Sequence, residues 1–212
     1  MKTKLLLFAS MLGLLCGCIT SSGTIKTYIN PAVNASLIKS VAIFPLRNSF
    51  VQRSIGLGTG EMIDINRMFQ MEFVKRNSTT HLVDAVSSRE LLNKSSLVNS
   101  YDTLLSVFDN TGIPNTVILN NIGKHLDVDA IIQGFIKEVS QKDGVYAQDA
   151  GEAKVVIKYI MLSTVSGDVI WEATCEGIKR TSTTLGKAPP FDEAIEIVKQ
   201  KIVSAMPSLS NK

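Results

Sequence analysis

The sequence predicts an α+β fold: a mixed β-sheet with a C-terminal three-stranded antiparallel meander, and helices packed on the sheet. Three observations carry this. Ser40-Val-Ala-Ile-Phe-Pro-Leu46 is an apolar run closed by proline, which suits a buried strand at the head of a sheet. Between that run and Leu126, apolar side chains recur mostly at helical spacing. From Asp129 to Ile178 the pattern turns to strands, and one last helical stripe follows.

The first residues set the compartment. Lys2 and Lys4 precede an apolar run, Leu5 to Leu15, broken only by Ser10 and Gly13. This suits the core of a signal peptide and is too short for a spanning helix, which needs ~20 residues. The run ends in Leu15-Cys16-Gly17-Cys18, which resembles the bacterial lipobox: an aliphatic residue three before the cysteine and a small one just before it. By that resemblance Cys18 is the acylated residue, carrying diacylglycerol and an N-acyl chain, and no other cofactor is expected. Cys16 fits less well, because Leu15 would stand in the small-residue position and Gly13 in the aliphatic one. Aspartate after the acylated cysteine tends to retain lipoproteins in the inner membrane. Ile19 stands there instead, so the resemblance implies the outer membrane, with the domain facing the periplasm. The expected division is a signal peptide at 1–17, the acylated cysteine and a flexible tether rich in Ser, Thr, Asn and Gly at 18–37, and a single domain at 38–208.

Cleavage before Cys18 removes Lys2 and Lys4 from the 22 Lys and Arg, leaving 20 against 19 Asp and Glu, a balance of +1. With no block of like charge, a nucleic-acid partner is not expected. Once Cys16 is discarded and Cys18 acylated, Cys175 stands alone, so packing without an intrachain disulfide must hold the domain.

Along the domain, a long loop from Arg47 to Gly60 contains Gly56, Gly58 and Gly60 and leads into a helix over 61–76. Met62, Ile65, Phe69 and Phe73 form its buried face, with Met68 and Val74 beside them. His81 to Ala85 reads as a strand, and Ser87 with Glu90 as a capping box opening a helix over 88–93. Leu104, Leu105 and Phe108 share a helical face, and another helix starts after Pro114 with Val117, Ile118, Ile122 and Leu126. Strands follow at 129–139, 153–165 and 169–178, the last two joined by the tight turn Ser166-Gly167-Asp168. In the last strand Trp171, Ala173 and Cys175 alternate with Glu172, Thr174 and Glu176, so one face is buried and Cys175 is an inert core thiol. The final helix, 191–206, turns Ala194, Ile197, Val198, Ile202 and Ala205 inward.

Several of these segments, in order, resemble a family. Lys39-Ser-Val-Ala-Ile-Phe-Pro-Leu-Arg-Asn48 looks like the opening strand of envelope lipoproteins related to LpoB and CsgG. Phe73-Val-Lys-Arg-Asn77, His81-Leu-Val-Asp84 and Ser88-Arg-Glu-Leu91 look like their helix, acid-ended strand and following helix. Asp127-Val-Asp-Ala-Ile-Ile-Gln-Gly134 and Ile160 to Trp171 are similar to their later strand and hairpin. The fold also resembles the amino-terminal domain of TolB. LpoB-like members imply a non-catalytic accessory that binds an envelope protein such as a cell-wall synthase. CsgG-like members imply an oligomeric subunit of a secretion or surface-structure assembly system, so a homo-oligomer is the alternative. A pore needs hairpin strands of ~10 alternating residues. Arg47 to Gly60 and Asp143 to Gly151 are too short or too irregular to supply them.

Catalytic chemistry finds no footing. His81 and His125 have no Cys or His at metal-ligand spacing, so no metal is expected. No Gly-x-Ser-x-Gly elbow occurs. Gly56-Leu-Gly-Thr-Gly60 lacks the Lys-Ser/Thr of a P-loop and the spacing of the dinucleotide fingerprint. Asp64, Asp127, Asp129 and Asp168 read as helix-start, turn and solvated charges. No catalytic residue is named. The expected partner-binding side chains are Phe50, Val51, Ile55 and Leu57 in one loop and Tyr146 in another, as apolar groups in segments that should be exposed.

Overall fold

The computed structural model describes residues 20–49, 57–145, 150–181 and 186–209. Within them a seven-stranded mixed sheet is covered by helices on both faces. Its strands are β1 (Thr20–Ile29), β2 (Ser40–Ile43), β3 (Arg47–Asn48), β4 (His81–Val83), β5 (Ala130–Lys142), β6 (Glu152–Ser163) and β7 (Val169–Arg180). The order is β1-β7-β6-β5-β2-β4, with β3 beside β5. The β2, β3 and β4 pairings are parallel, and the β5-β6-β7 meander with β1 is antiparallel. The helices are α1 (Thr59–Arg76), α2 (Ala85–Lys94), α3 (Val98–Thr111), α4 (Thr116–Leu126) and α5 (Phe191–Ala205).

Alternation along the strands sorts the core into two layers. Ile132, Ile157, Tyr159, Trp171 and Cys175 face α1 and α5, which contribute Ile65, Phe69, Phe73, Ala194, Val198 and Ile202. Ile131, Phe135, Ile160 and Leu162 face α2, α3 and α4, meeting Leu92, Leu104, Leu105, Phe108, Leu119 and Ile122. Every one of these is buried, so helices on both faces are needed to cover strands that are apolar on both sides. Burial pushes the Cys175 thiol up to about 12, with Lys201 opposing weakly, which makes it an inert core group.

Half of the segment expected as a flexible tether is a strand. Residues 20–29 pair with β7 in unbroken register from Thr20↔Arg180 to Ile29↔Trp171. Gly23 lies opposite Gly177 in that register. A Cβ on Gly177 would collide with the Ala194 carbonyl and the Val198 amide, and one on Gly23 with the Glu176 carbonyl, Ile197 and Lys201. The two missing side chains form a trough in which α5 lies against bare backbone.

Smaller corrections have local causes. Val74 is exposed, while Asn66 takes a buried place on the same face of α1. Ile195, absent from the predicted stripe, is buried on α5. Asp129 is no solvated charge: one carboxylate oxygen accepts from the Lys39 and Ser40 amides and the Ser40 hydroxyl, stapling the entry of β2 to β5. The turn after β6 has Gly167 at φ +80°, where a side chain would be strained and would also strike Thr116.

The capping box is replaced by a stronger cap. Asp84, not Ser87, caps α2, accepting from the amides of Val86 and Ser87 at 2.9 and 3.0 Å and the Ser87 hydroxyl at 2.8 Å. The Ser87 amide, then its hydroxyl, hold the Asp84 carboxyl below its ordinary value, with Val86 helping and burial opposing. A depressed folded-state value gives stability that is present above the unfolded value of ~3.9 and lost as pH falls through the folded one. Asp84→Ala is expected to cost ~1 kcal/mol in urea unfolding at pH 7. Parallel urea titrations should show that difference shrinking as the wild type is taken below pH ~4.

Candidate functional site

The loop between β3 and α1 is the first place to look, because the sequence put its apolar side chains there. Phe50, Val51 and Ile55 lie outside the described residues, as do Tyr146 of the second loop and Cys18. Leu57 does not match the expectation of an exposed side chain. It is 8% exposed and joins the α1 core, because it is the apolar residue that must anchor the chain as it enters the helix. Glu61, in the first turn of α1, folds back over Gly58 and occupies the helix start where a phosphate would have to bind.

At the other end of the loop, polar contacts fix the chain to α3. Arg47 pairs with Asp102 at 2.8 Å. The Ser49 hydroxyl donates to Asp109, and the Lys137 ammonium donates to Asp109 at 2.5 Å and to Ser49 at 3.0 Å. Asp109 is 3% exposed and Lys137 29%, so a buried carboxylate is neutralised by a half-buried ammonium. Its geometry comes from a β-bulge: the β5–β6 register shifts between Ile136 and Glu138, leaving Lys137 as the extra residue. Lys137 therefore reaches Asp109 while its neighbour Glu138 reaches Lys154 from the same face. Ser49 serves the ammonium and the carboxylate as a bridge, and its burial keeps it from acting as a nucleophile.

Beside this network lies a cleft of about 170 Å³ lined by Pro45, Arg47, Arg89, Tyr101, Asp102 and Gln133. Its polar floor is internally satisfied. The Tyr101 hydroxyl donates to Gln133 at 2.7 Å, and the Gln133 amide donates to the Pro45 carbonyl at 2.9 Å. Phe44 stacks on Tyr101 with centroids 4.2 Å apart, and burial raises the phenol well above its ordinary value. The arrangement is suited to holding a loop rather than to transferring a proton.

A second surface lies at the end of the sheet where β6 turns into β7. A groove of about 350 Å³ runs between the 3₁₀ turn Ala35–Leu37 and the β6–β7 turn, lined by Val33, Leu37, Val165, Ser166 and Asp168 among others. Leu37 is 69% and Val165 72% exposed, which makes this a solvent-facing apolar pair rather than core. Sequence reading missed it because Leu37 fell in the expected tether and Val165 in a predicted strand.

The histidines stay apart: His81 is exposed on β4, and His125 has its Nδ1 at 2.9 Å from the Asn121 carbonyl. Among the described residues, no group of three His, Cys, Asp or Glu could hold a metal ion, and no helix is long and apolar enough to cross a membrane.

No family model matches the chain, and no curated protein matches it. Among solved structures it is similar to the PelC dodecamer from Paraburkholderia phytofirmans at 13% identity, over 87% of this chain and 98% of that one, with a TM-score of 0.44. It is similar to lipoprotein GNA1162 from Neisseria meningitidis at 10% identity, over 67% and 83%, with a TM-score of 0.45. The LpoB C-terminal domain from Salmonella enterica matches at 10% identity, over 68% and 84%, with a TM-score of 0.38. At these identities and TM-scores no function carries across to this chain.

Removing the half-buried cation that neutralises the buried Asp109 carboxylate tests the loop root. Lys137→Met leaves the Asp109 carboxylate without its ammonium and is expected to lower stability by ~2–4 kcal/mol. Arg67→Ala, which breaks the exposed Arg67–Asp64 pair, should change it by under ~0.5 kcal/mol in the same denaturant assay.

Proposed function

We propose that the chain is an envelope lipoprotein, acylated on Cys18 and held at the outer membrane, that acts by contact with a protein partner as a non-catalytic accessory or assembly factor. The observation that carries this is the lipobox-like Leu15-Cys16-Gly17-Cys18, which ends two residues before Thr20, the first residue of β1. A triacylated cysteine buries several chains, and at ~0.8 kcal/mol per methylene the attachment is permanent on the cell's timescale. The folded part supplies contact surfaces: the groove with Leu37 and Val165, and the loop rooted by Ser49 and Leu57, which carries Phe50, Val51 and Ile55. A cell-wall synthase is the partner class the LpoB-like resemblance implies.

A second reading, the oligomeric subunit of an assembly system, is favoured by one feature. Among the described residues β1 ends the sheet order and is paired only with β7, which leaves its other edge open along ten residues. Such an edge is a template for a strand from a second copy.

Expression in a diderm host tests both. Intact-mass measurement of the membrane fraction should show the chain beginning at Cys18 with diacylglycerol and N-acyl mass, and Cys18→Ala should leave an unacylated chain. Wild type without that mass would end the lipoprotein reading. Light scattering in detergent then separates the roles: a monomer excludes the oligomeric subunit, and a uniform large assembly displaces the accessory role.

A further inference from the structure

The register of β1 fixes more than the sheet. Thr20 lies opposite Arg180, Arg180 opposite Glu152, and Glu152 opposite Lys142, so one transverse row runs from β1 through β7 and β6 to β5. At ~4.8 Å per strand that row is ~15 Å wide. Between Cys18 and Thr20 stand only two peptide links, which reach at most ~7 Å. If the lipid is on Cys18, the end of the sheet carrying this row has no leash to leave the bilayer.

The chemistry of that end fits a membrane surface. The β5–β6 and β7–α5 connections meet there: the Gly144 amide donates to the Gly186 carbonyl, the Ala188 amide to the Asp143 carboxylate and the Gln141 side chain to the Pro189 carbonyl. Arg180 is paired with Glu152, and Lys179 with Glu193. Lys142 and Lys187 are exposed and have no ion pair among the described residues, and Val145 between the strands is exposed as well. Two exposed lysines and an exposed apolar side chain at one end of the sheet, with the Asp143 carboxylate engaged by the Ala188 amide, suit anionic phospholipid headgroups. β1 is ~30 Å long, so its far end, with the groove of Leu37 and Val165, would stand about that far from the lipid.

We infer that the Lys142–Lys187 end of the sheet docks on the anionic bilayer surface and that the domain stands upright on it, presenting the Leu37–Val165 groove to the periplasm. This rests on the lipoprotein reading above. The test uses the full acylated protein in vesicles of phosphatidylethanolamine and phosphatidylglycerol containing nitroxide-labelled lipid. A fluorophore is placed on Val145→Cys at the near end or Val165→Cys at the far end, with the buried Cys175 out of reach. The near probe should be quenched several-fold more than the far one. Equal quenching at the two ends in a sample whose mass shows the acyl chains overturns the docking while leaving the lipoprotein intact. A sample without acyl mass overturns both.

Discussion

Residues 20–29 pair with residues 171–180 without a shift, and inside that ladder Gly23 faces Gly177. The glycine pair clears a trough, α5 settles on it, and Ala194 and Val198 close over Ala173 and Cys175. Trp171 then ties the far end of the helix, its indole donating to the Ala205 carbonyl at 3.1 Å. β1, β7 and α5 are thus one packed unit, held by backbone approach as much as by side chains. A larger residue at either glycine would push α5 off the sheet and open the core beneath it.

From that unit the two faces of the sheet diverge. One is covered along its length by α1 and α5. The other is covered by α2, α3 and α4 over β2, β4, β5 and the ends of β6 and β7 that meet at their turn. Where the helices stop, the sheet turns to charge: Lys154 lies between Glu138 and Glu176, and Lys158 pairs with Glu172. Hydrogen bonds donated to Glu138, then to Glu176, raise the Lys154 value against its partial burial, so the ammonium belongs to the lattice of paired charges. The same bulge that sends Glu138 into that lattice sends Lys137 to Asp109 and fixes the root of the loop after β3. One irregularity in β5 therefore serves both the wet face and the loop.

Long, strongly periodic elements were legible in the sequence. The stripe of Ile65, Phe69 and Phe73, the alternation of Trp171, Ala173 and Cys175, and the Ser166-Gly167-Asp168 turn all lie where their spacing put them. β1 was hidden because Thr20-Ser-Ser-Gly-Thr-Ile-Lys-Thr-Tyr-Ile29 has the polar composition of a linker, while its Thr, Ile and Tyr content and the spacing of Ile25 and Ile29 are those of an edge strand. β3, two residues long, has no pattern to read; it exists because Phe135 and Ile136 offer it backbone partners. Leu57 and Asp129 were misread for a related reason. A loop leucine and a strand-entry aspartate reveal their burial or their hydrogen bonds only once non-local segments are brought to them. The surface pair Leu37 and Val165 is a product of topology, which joins a turn after β1 to the turn after β6.

The packing of α5 on the glycine trough requires β1 to be part of the sheet rather than a leash. Amide hydrogen exchange on residues 20–29 of the mature protein measures this directly. The amides of that segment that bond to β7 should exchange as slowly as their partners in 171–180. Exchange of the whole segment at free-peptide rates, with β7 still protected, would contradict the account and return these residues to a tether.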